Sequence, residues 1–146
     1  MKATCKKGFF LLIFTLVISN SFFISNSVAE VSVVVHPDNG STFDKSVIKK
    51  IFLGKSKLFK NGRNAILISP KPGDPVRNAF NQEVLNKSET QVNAYWARMQ
   101  FTGKGSPPQE MNSAQDIISA ISENKDAISY LDSSAVTSDV KVVAKF

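Results

Sequence analysis

Apolar residues fall along this chain in short runs of two kinds, and the two kinds alternate. Val31–Val35 (VSVVV), residues 65–69 (AILIS), 127–131 (AISYL) and 140–144 (VKVVA) are compact, β-branched stretches that read as buried strands. Between them the apolar positions recur at helical spacing. Asp44 can cap a helix whose inner face is Val47, Ile48, Ile51 and Phe52, with Phe43 and Ile48 spaced as a hydrophobic staple and Gly54 as the stop. Asp74 caps the next, with Pro75 in the first turn, where a missing N–H costs nothing, and with Val76, Ala79, Phe80 and Val84 inward. Ser88 and Gln91 form a capping box before Val92, Tyr95, Trp96 and Met99. Ser113 and Asp116 open a last helix carrying Ile117, Ile118 and Ile121, which ends near Asn124. The turn at residues 36–40 (HPDNG), the polar stretch 55–64 and the segment 101–108 (FTGKGSPP) read as loops. Strands alternating with helices indicate an α/β domain, with a mostly parallel sheet and helices on both faces.

The amino terminus follows a different pattern. Lys2, Lys6 and Lys7 precede an uncharged run at residues 8–18 (GFFLLIFTLVI), then a polar stretch ending in Ser27-Val28-Ala29. That is the order of a secretory leader, and the apolar core is too short for a stable span. Cleavage is expected near Ala29, leaving residues 30–146 as one domain that is periplasmic or secreted and not inserted in a membrane. An uncleaved anchor is the rival reading. A lipoprotein is disfavoured, because Cys5, the sole cysteine, lies before the apolar run.

Removing the leader changes the composition. The remaining 117 residues lose three lysines and no acids, so the formal charge falls from +6 to +3. Such a mild balance, with no concentrated basic stripe, argues against nucleic acid as a partner. With Cys5 gone, disulfides, thiolate chemistry and cysteine metal sites are excluded, and the hydrophobic core alone must hold the domain.

Catalytic motifs are scarce. His36 has no second histidine to share a metal and reads as a turn residue before Pro37. No serine lies in a nucleophile-elbow pattern, and no phosphate-loop or dinucleotide fingerprint is present, so neither an enzyme nor a cofactor is expected. Gly103-Lys104-Gly105-Ser106 looks phosphate-binding only superficially, since it follows a helix and precedes two prolines. Binding has a better foothold at residues 69–77. There a strand end leads into a helix amino terminus, whose free N–H groups favour anions, and Lys71 and Arg77 add charge. The alternative is an ordinary turn capped by Asp74, with two solvated cations.

Several short passages, in order, resemble a known family. Val33-Val34-Val35-His36-Pro37-Asp38-Asn39 is followed by Ile48, then Ile51-Phe52-Leu53-Gly54-Lys55. Phe80, Ala94-Tyr95-Trp96, Phe101-Thr102-Gly103-Lys104-Gly105 and Ala127-Ile128-Ser129-Tyr130 continue the series. The sequence resembles phosphate-type periplasmic binding proteins, and most of all the short, single-lobe substrate-binding proteins of phosphate ABC transporters. The resemblance implies one lobe of a type II periplasmic-binding-protein fold, a phosphate-like small anion as ligand, and an ABC permease or another envelope protein as partner. Together with the helix amino terminus at a strand end, it points to Lys71, Gly73, Asp74 and Arg77 as the ligand site. The family's loop reads Arg-x-Asp-Gly-Ser-Gly-Thr. Here the matching stretch is Pro70-Lys71-Pro72-Gly73-Asp74-Pro75-Val76, in which only Gly73 agrees and Asp74 adds a carboxylate. A second reading is a non-transport interaction module of the envelope, with Tyr95, Trp96 and Phe101 as its contact surface.

Overall fold

The computed structural model describes residues 29–146, so the expected leader and its cleavage lie largely outside the described residues. The strands are β1 (Val31–Val35), β2 (Ile66–Pro70), β3 (Gln109–Met111), β4 (Ala127–Asp132) and β5 (Lys141–Lys145). The helices are α1 (Lys45–Phe52), α2 (Pro75–Phe80), α3 (Glu89–Phe101) and α4 (Ala114–Glu123). One π-turn, Asn81–Leu85, continues α2. The strands form a single sheet in the order β3-β2-β4-β1-β5.

The α/β class holds, with one refinement of the sheet. β2 pairs in parallel with both β3 and β4, whereas β1 lies antiparallel to β4 and to β5. Four strands therefore run one way and β1 alone runs the other. β3 is an addition to the expected elements, three residues on the outer edge beside β2.

Both faces of the sheet are covered, which is why every residue of β1 is buried. Val31, Val33 and Val35 point into a layer with Ile48, Ile51 and Phe52 of α1, Phe80 of α2 and Trp96 of α3. Val34 belongs to the opposite layer, with Ile117, Ile118 and Ile121 of α4. Period-two alternation in a strand thus feeds two cores. The first core centres on an aromatic trio: Phe80 stacks on Tyr130 with ring centroids 3.8 Å apart, and Phe52 meets both edge-on at 4.9 and 5.4 Å. Such pairs add about 0.5–1.5 kcal/mol each beyond the area they bury.

The helices start where their caps lie. The side chains of Asp44, Asp74, Ser88 and Ser113 accept hydrogen bonds from the backbone N–H of Val47, Val76, Gln91 and Asp116. The Ser88–Gln91 capping box is reciprocal. α1 ends in a Schellman turn: Gly54, at φ +64°, donates to the Ile51 carbonyl while Lys55 donates to that of Lys50. α3 ends the same way, with Gly103 at φ +68° donating to Gln100 and Lys104 to Met99. The Gly-Lys-Gly-Ser stretch is thus a helix terminus whose first two amides are already engaged. His36 is a turn residue, its Nδ1 accepting from the Asp38 N–H at 3.0 Å.

Candidate functional site

The carboxyl ends of β2, β3 and β4 lie side by side, because these three strands are parallel. Their following segments are the 71–74 turn into α2, Asn112 and Ser113 into α4, and the turn after Asp132. A shallow cleft of about 100 Å³ lies among them, lined by Pro70, Asp74, Met111, Ser113 and Asp132 with other residues of α2 and α4. Open α/β sheets bind ligands at this edge.

The four expected ligand residues fall into different environments. Lys71 is exposed, and its backbone N–H donates to the Met111 carbonyl, tying the turn to β3. Gly73 is exposed, at φ +82°, with nothing within 4 Å of where a Cβ would stand. Only glycine adopts that φ without strain, so the turn geometry explains the residue. Asp74 lines the cleft, and its Oδ1 accepts from the Val76 N–H at 2.9 Å. Its charge therefore sits where the helix terminus would otherwise attract an anion.

Arg77 is not a solvated cation. It is 7 % exposed and turns beneath the loop. Its Nη1 donates to the Pro70 carbonyl at 2.9 Å and to Glu110 Oε1 at 2.8 Å, and its Nε lies 3.3 Å from Glu89 Oε1. The guanidinium joins the amino end of α2 to α3 and to the edge strand β3, and two carboxylates meet its one charge. Arg77 lines a second, larger cleft and not the one that holds Asp74.

The charge balance at the carboxyl edge is therefore acidic. Asp132 lines the same small cleft as Asp74. The Ser134 hydroxyl and then its N–H hold the Asp132 carboxyl below the usual carboxylate range. Asp132, Glu89 and Glu110 carried no sequence signal as site residues. They are ordinary surface acids in the chain, and only the parallel order of the strands brings them to this edge. Burial, with Asp74, Glu89 and Glu110 nearby, pushes the Tyr130 hydroxyl well above the usual tyrosine range, while Arg77 pulls the other way.

The surface of the interaction-module reading is smaller than its three residues suggest. Trp96 is buried, and the Tyr95 hydroxyl donates to the Leu53 carbonyl at 2.6 Å. Phe101 stands 92 % exposed at the end of α3. Among the described residues no cluster of His, Cys, Asp or Glu could hold a metal ion, and no helix is long and apolar enough to cross a membrane.

No family model and no curated protein matches the sequence. Solved structures do match. An ABC-type phosphate transport receptor from Vibrio cholerae superposes with a TM-score of 0.61 at 14 % identity, over 80 % of this chain and 46 % of its own. A putative phosphate ABC transporter substrate-binding protein from Clostridium perfringens, with bound phosphate, gives 0.63 at 22 %, over 80 % and 45 %. PstS from Borrelia burgdorferi gives 0.53 at 13 %, over 70 % and 41 %. The fold is that of phosphate ABC transporter substrate-binding proteins. The chain spans about half the length of these structures, which fits one lobe of that architecture.

Proposed function

We propose that this chain is an exported solute-binding lobe that takes a phosphate-like anion at the carboxyl edge of β2, β3 and β4, and that it works with an ABC permease. Lys71, Gly73, Asp74 and Arg77 form the binding loop. Lys71 supplies the exposed charge and Gly73 the turn, while Arg77 holds the loop in place through the Pro70 carbonyl. The observation that carries the reading is the shared fold with phosphate receptors, one of which holds phosphate. On this reading residues 1–29 are the leader, and the mature protein begins at Glu30 in the periplasm or outside the cell. It is a binding protein and not an enzyme.

The affinity is low by construction. Asp74 occupies an N–H group that would meet the anion, and Asp132 shares its cleft. A like charge at the site costs several tenths to about 2 kcal/mol. Calorimetry with phosphate, sulfate and small carboxylates tests the reading. Heats that saturate at millimolar phosphate are expected; their absence with every anion would overturn anion binding. Intact mass of the exported protein, expected to begin at Glu30, tests the leader separately.

A further inference from the structure

The mild net charge of the domain hides an uneven distribution. Residues 45–73 carry seven lysines and Arg63 without a single acid, while all twelve acids lie elsewhere in the chain. Folding gathers these cations further. The Lys50 carbonyl accepts from the Lys55 and Ser56 N–H groups, so the segment leaving α1 turns back on the helix end. It continues as a tight ribbon, closed by the Phe59 N–H to the Arg63 carbonyl at 2.8 Å and by the Ala65 N–H to the Lys57 carbonyl at 2.9 Å. The ribbon leads into the amino end of β2. Across an open cleft of about 300 Å³ stands the segment after α3, so that Lys57 lines one wall and Lys104 the other.

Lys50, Lys55, Lys57, Lys60 and Lys104 are exposed, and among the described residues none of them forms an ion pair. Arg63, the arginine of the ribbon, is taken by Asp126. Two aliphatic side chains stand in the same region, Leu58 at 48 % and Ile66 at 41 % exposed. Among the described residues no carboxylate lines the cleft. This composition selects the partner. Protein interfaces are depleted in lysine and enriched in arginine and aromatic residues. Nucleic acid would use stacked rings or an arginine fork, but on this ribbon Phe59 is buried and Arg63 is engaged. A small anion would answer the charge and leave Leu58 and Ile66 in water. An anionic bilayer answers both, because its headgroups meet hydrated lysines while aliphatic side chains reach the acyl boundary.

We propose that this face docks the protein on an anionic lipid bilayer, with Lys55, Lys57, Lys60 and Lys104 against the headgroups and Leu58 and Ile66 at the acyl boundary. The face lies at the amino ends of β2 and β3, where Ile66 and Gln109 line the cleft. Docking therefore leaves the acidic carboxyl edge at the other end of these strands turned away from the membrane and open to solute. Because the two regions share no residue, the inference stands or falls independently of anion binding.

The chain from Glu30 on carries every element of the described fold and is the form to test. It should sediment with vesicles of phosphatidylglycerol and phosphatidylcholine, and not with vesicles of phosphatidylcholine alone. Sodium chloride should release it, because exposed charges are screened. A lysine near an anionic surface is worth about fivefold in partitioning, so Lys57→Gln with Lys60→Gln should lower it about twentyfold. Lys71→Gln, at the far end of β2, should leave it in place, and Leu58→Ser should weaken it without changing its salt dependence. All these side chains are exposed, so circular dichroism should stay unchanged. Inorganic phosphate should release the protein no better than chloride at equal ionic strength. Equal binding to both vesicles, no binding, full binding by the double variant, or release by phosphate at low ionic strength would each overturn the proposal. So would an equal loss in Lys71→Gln, or none in Leu58→Ser.

Discussion

Arg77 and Glu110 are joined at 2.8 Å between Nη1 and Oε1, across 33 residues of chain, and the two side chains are exposed very unequally. The arginine is nearly enclosed, whereas the glutamate is half in solvent. That asymmetry sets what each residue contributes. Removing the buried member leaves two carboxylates and the Pro70 carbonyl without their donor. Removing the exposed member leaves a guanidinium that still has Glu89.

Arg77→Leu is therefore expected to destabilise the fold by about 1–3 kcal/mol, the cost of losing charge-assisted hydrogen bonds whose carboxylate ends stay partly in solvent. Glu110→Gln, which keeps the shape and an acceptor, should cost about 1 kcal/mol or less. Urea unfolding of the two variants measures the difference. Equal losses would mean that Arg77 is not the residue that ties α2 to β3.

Asp74→Ser tests the anion site. Serine keeps a cap for the Val76 N–H at a helix cost of a few tenths of a kcal/mol, and it removes a carboxylate from the cleft. Phosphate affinity should rise about tenfold if the relief is near 1.4 kcal/mol, and the gain should shrink as salt is added. A folded variant with no gain in calorimetry would make the 71–74 turn purely structural.

Acid should destabilise the protein. A hydrogen bond from Lys125 holds the Asp38 carboxyl below its ordinary range, and one from Arg63 does the same for Asp126. Glu30 is lowered by the Ser133 hydroxyl and then by Lys145. Groups held low contribute stability that is complete above their unfolded pKa and is lost as pH falls through the folded one. The thermal midpoint should stay level from neutral pH to about 5 and fall below about pH 4. Asp126→Asn should remove part of that fall. A midpoint that rises on acidification would contradict the assignment.

Tyr130 governs the alkaline side. Its hydroxyl is raised by burial, so the stability it permits is complete below the ordinary tyrosine pKa and is lost as pH rises past it. Unfolding above about pH 10 should therefore accompany ionisation of this ring. Tyr130→Phe should be nearly neutral at pH 7 and move the alkaline midpoint upward. Absorbance of the phenolate during an alkaline titration follows both.

Gly54→Ala should cost about 1–3 kcal/mol. The residue sits at φ +64°, and an added Cβ would lie 3.0 Å from Trp96 Cη2. Backbone strain and crowding act together, so a change in Trp96 emission should accompany the loss of stability. Unchanged stability would mean that the Schellman turn relaxes freely.

The features that depend on near neighbours were open to reading in the chain itself. A cap needs only the residue three or fewer positions ahead, so Asp44, Asp74, Ser88 and Ser113 announced their helices. Gly54 marked the end of α1 for the same reason, and the β-branched run Val31–Val35 read as a buried strand. Strand direction is different, because it is settled by which strand pairs with which. The reversal of β1 and the short edge strand β3, with its polar Gln109 and Glu110, arise from pairing across long stretches of chain. Arg77 shows the same division most clearly. As a cation near a helix start it suggests an anion site, and only the folded chain brings Glu89 and Glu110 to it, 12 and 33 residues away. Local hydrogen bonds write themselves into sequence, whereas the charge balance of a site depends on side chains that meet only after the sheet has formed.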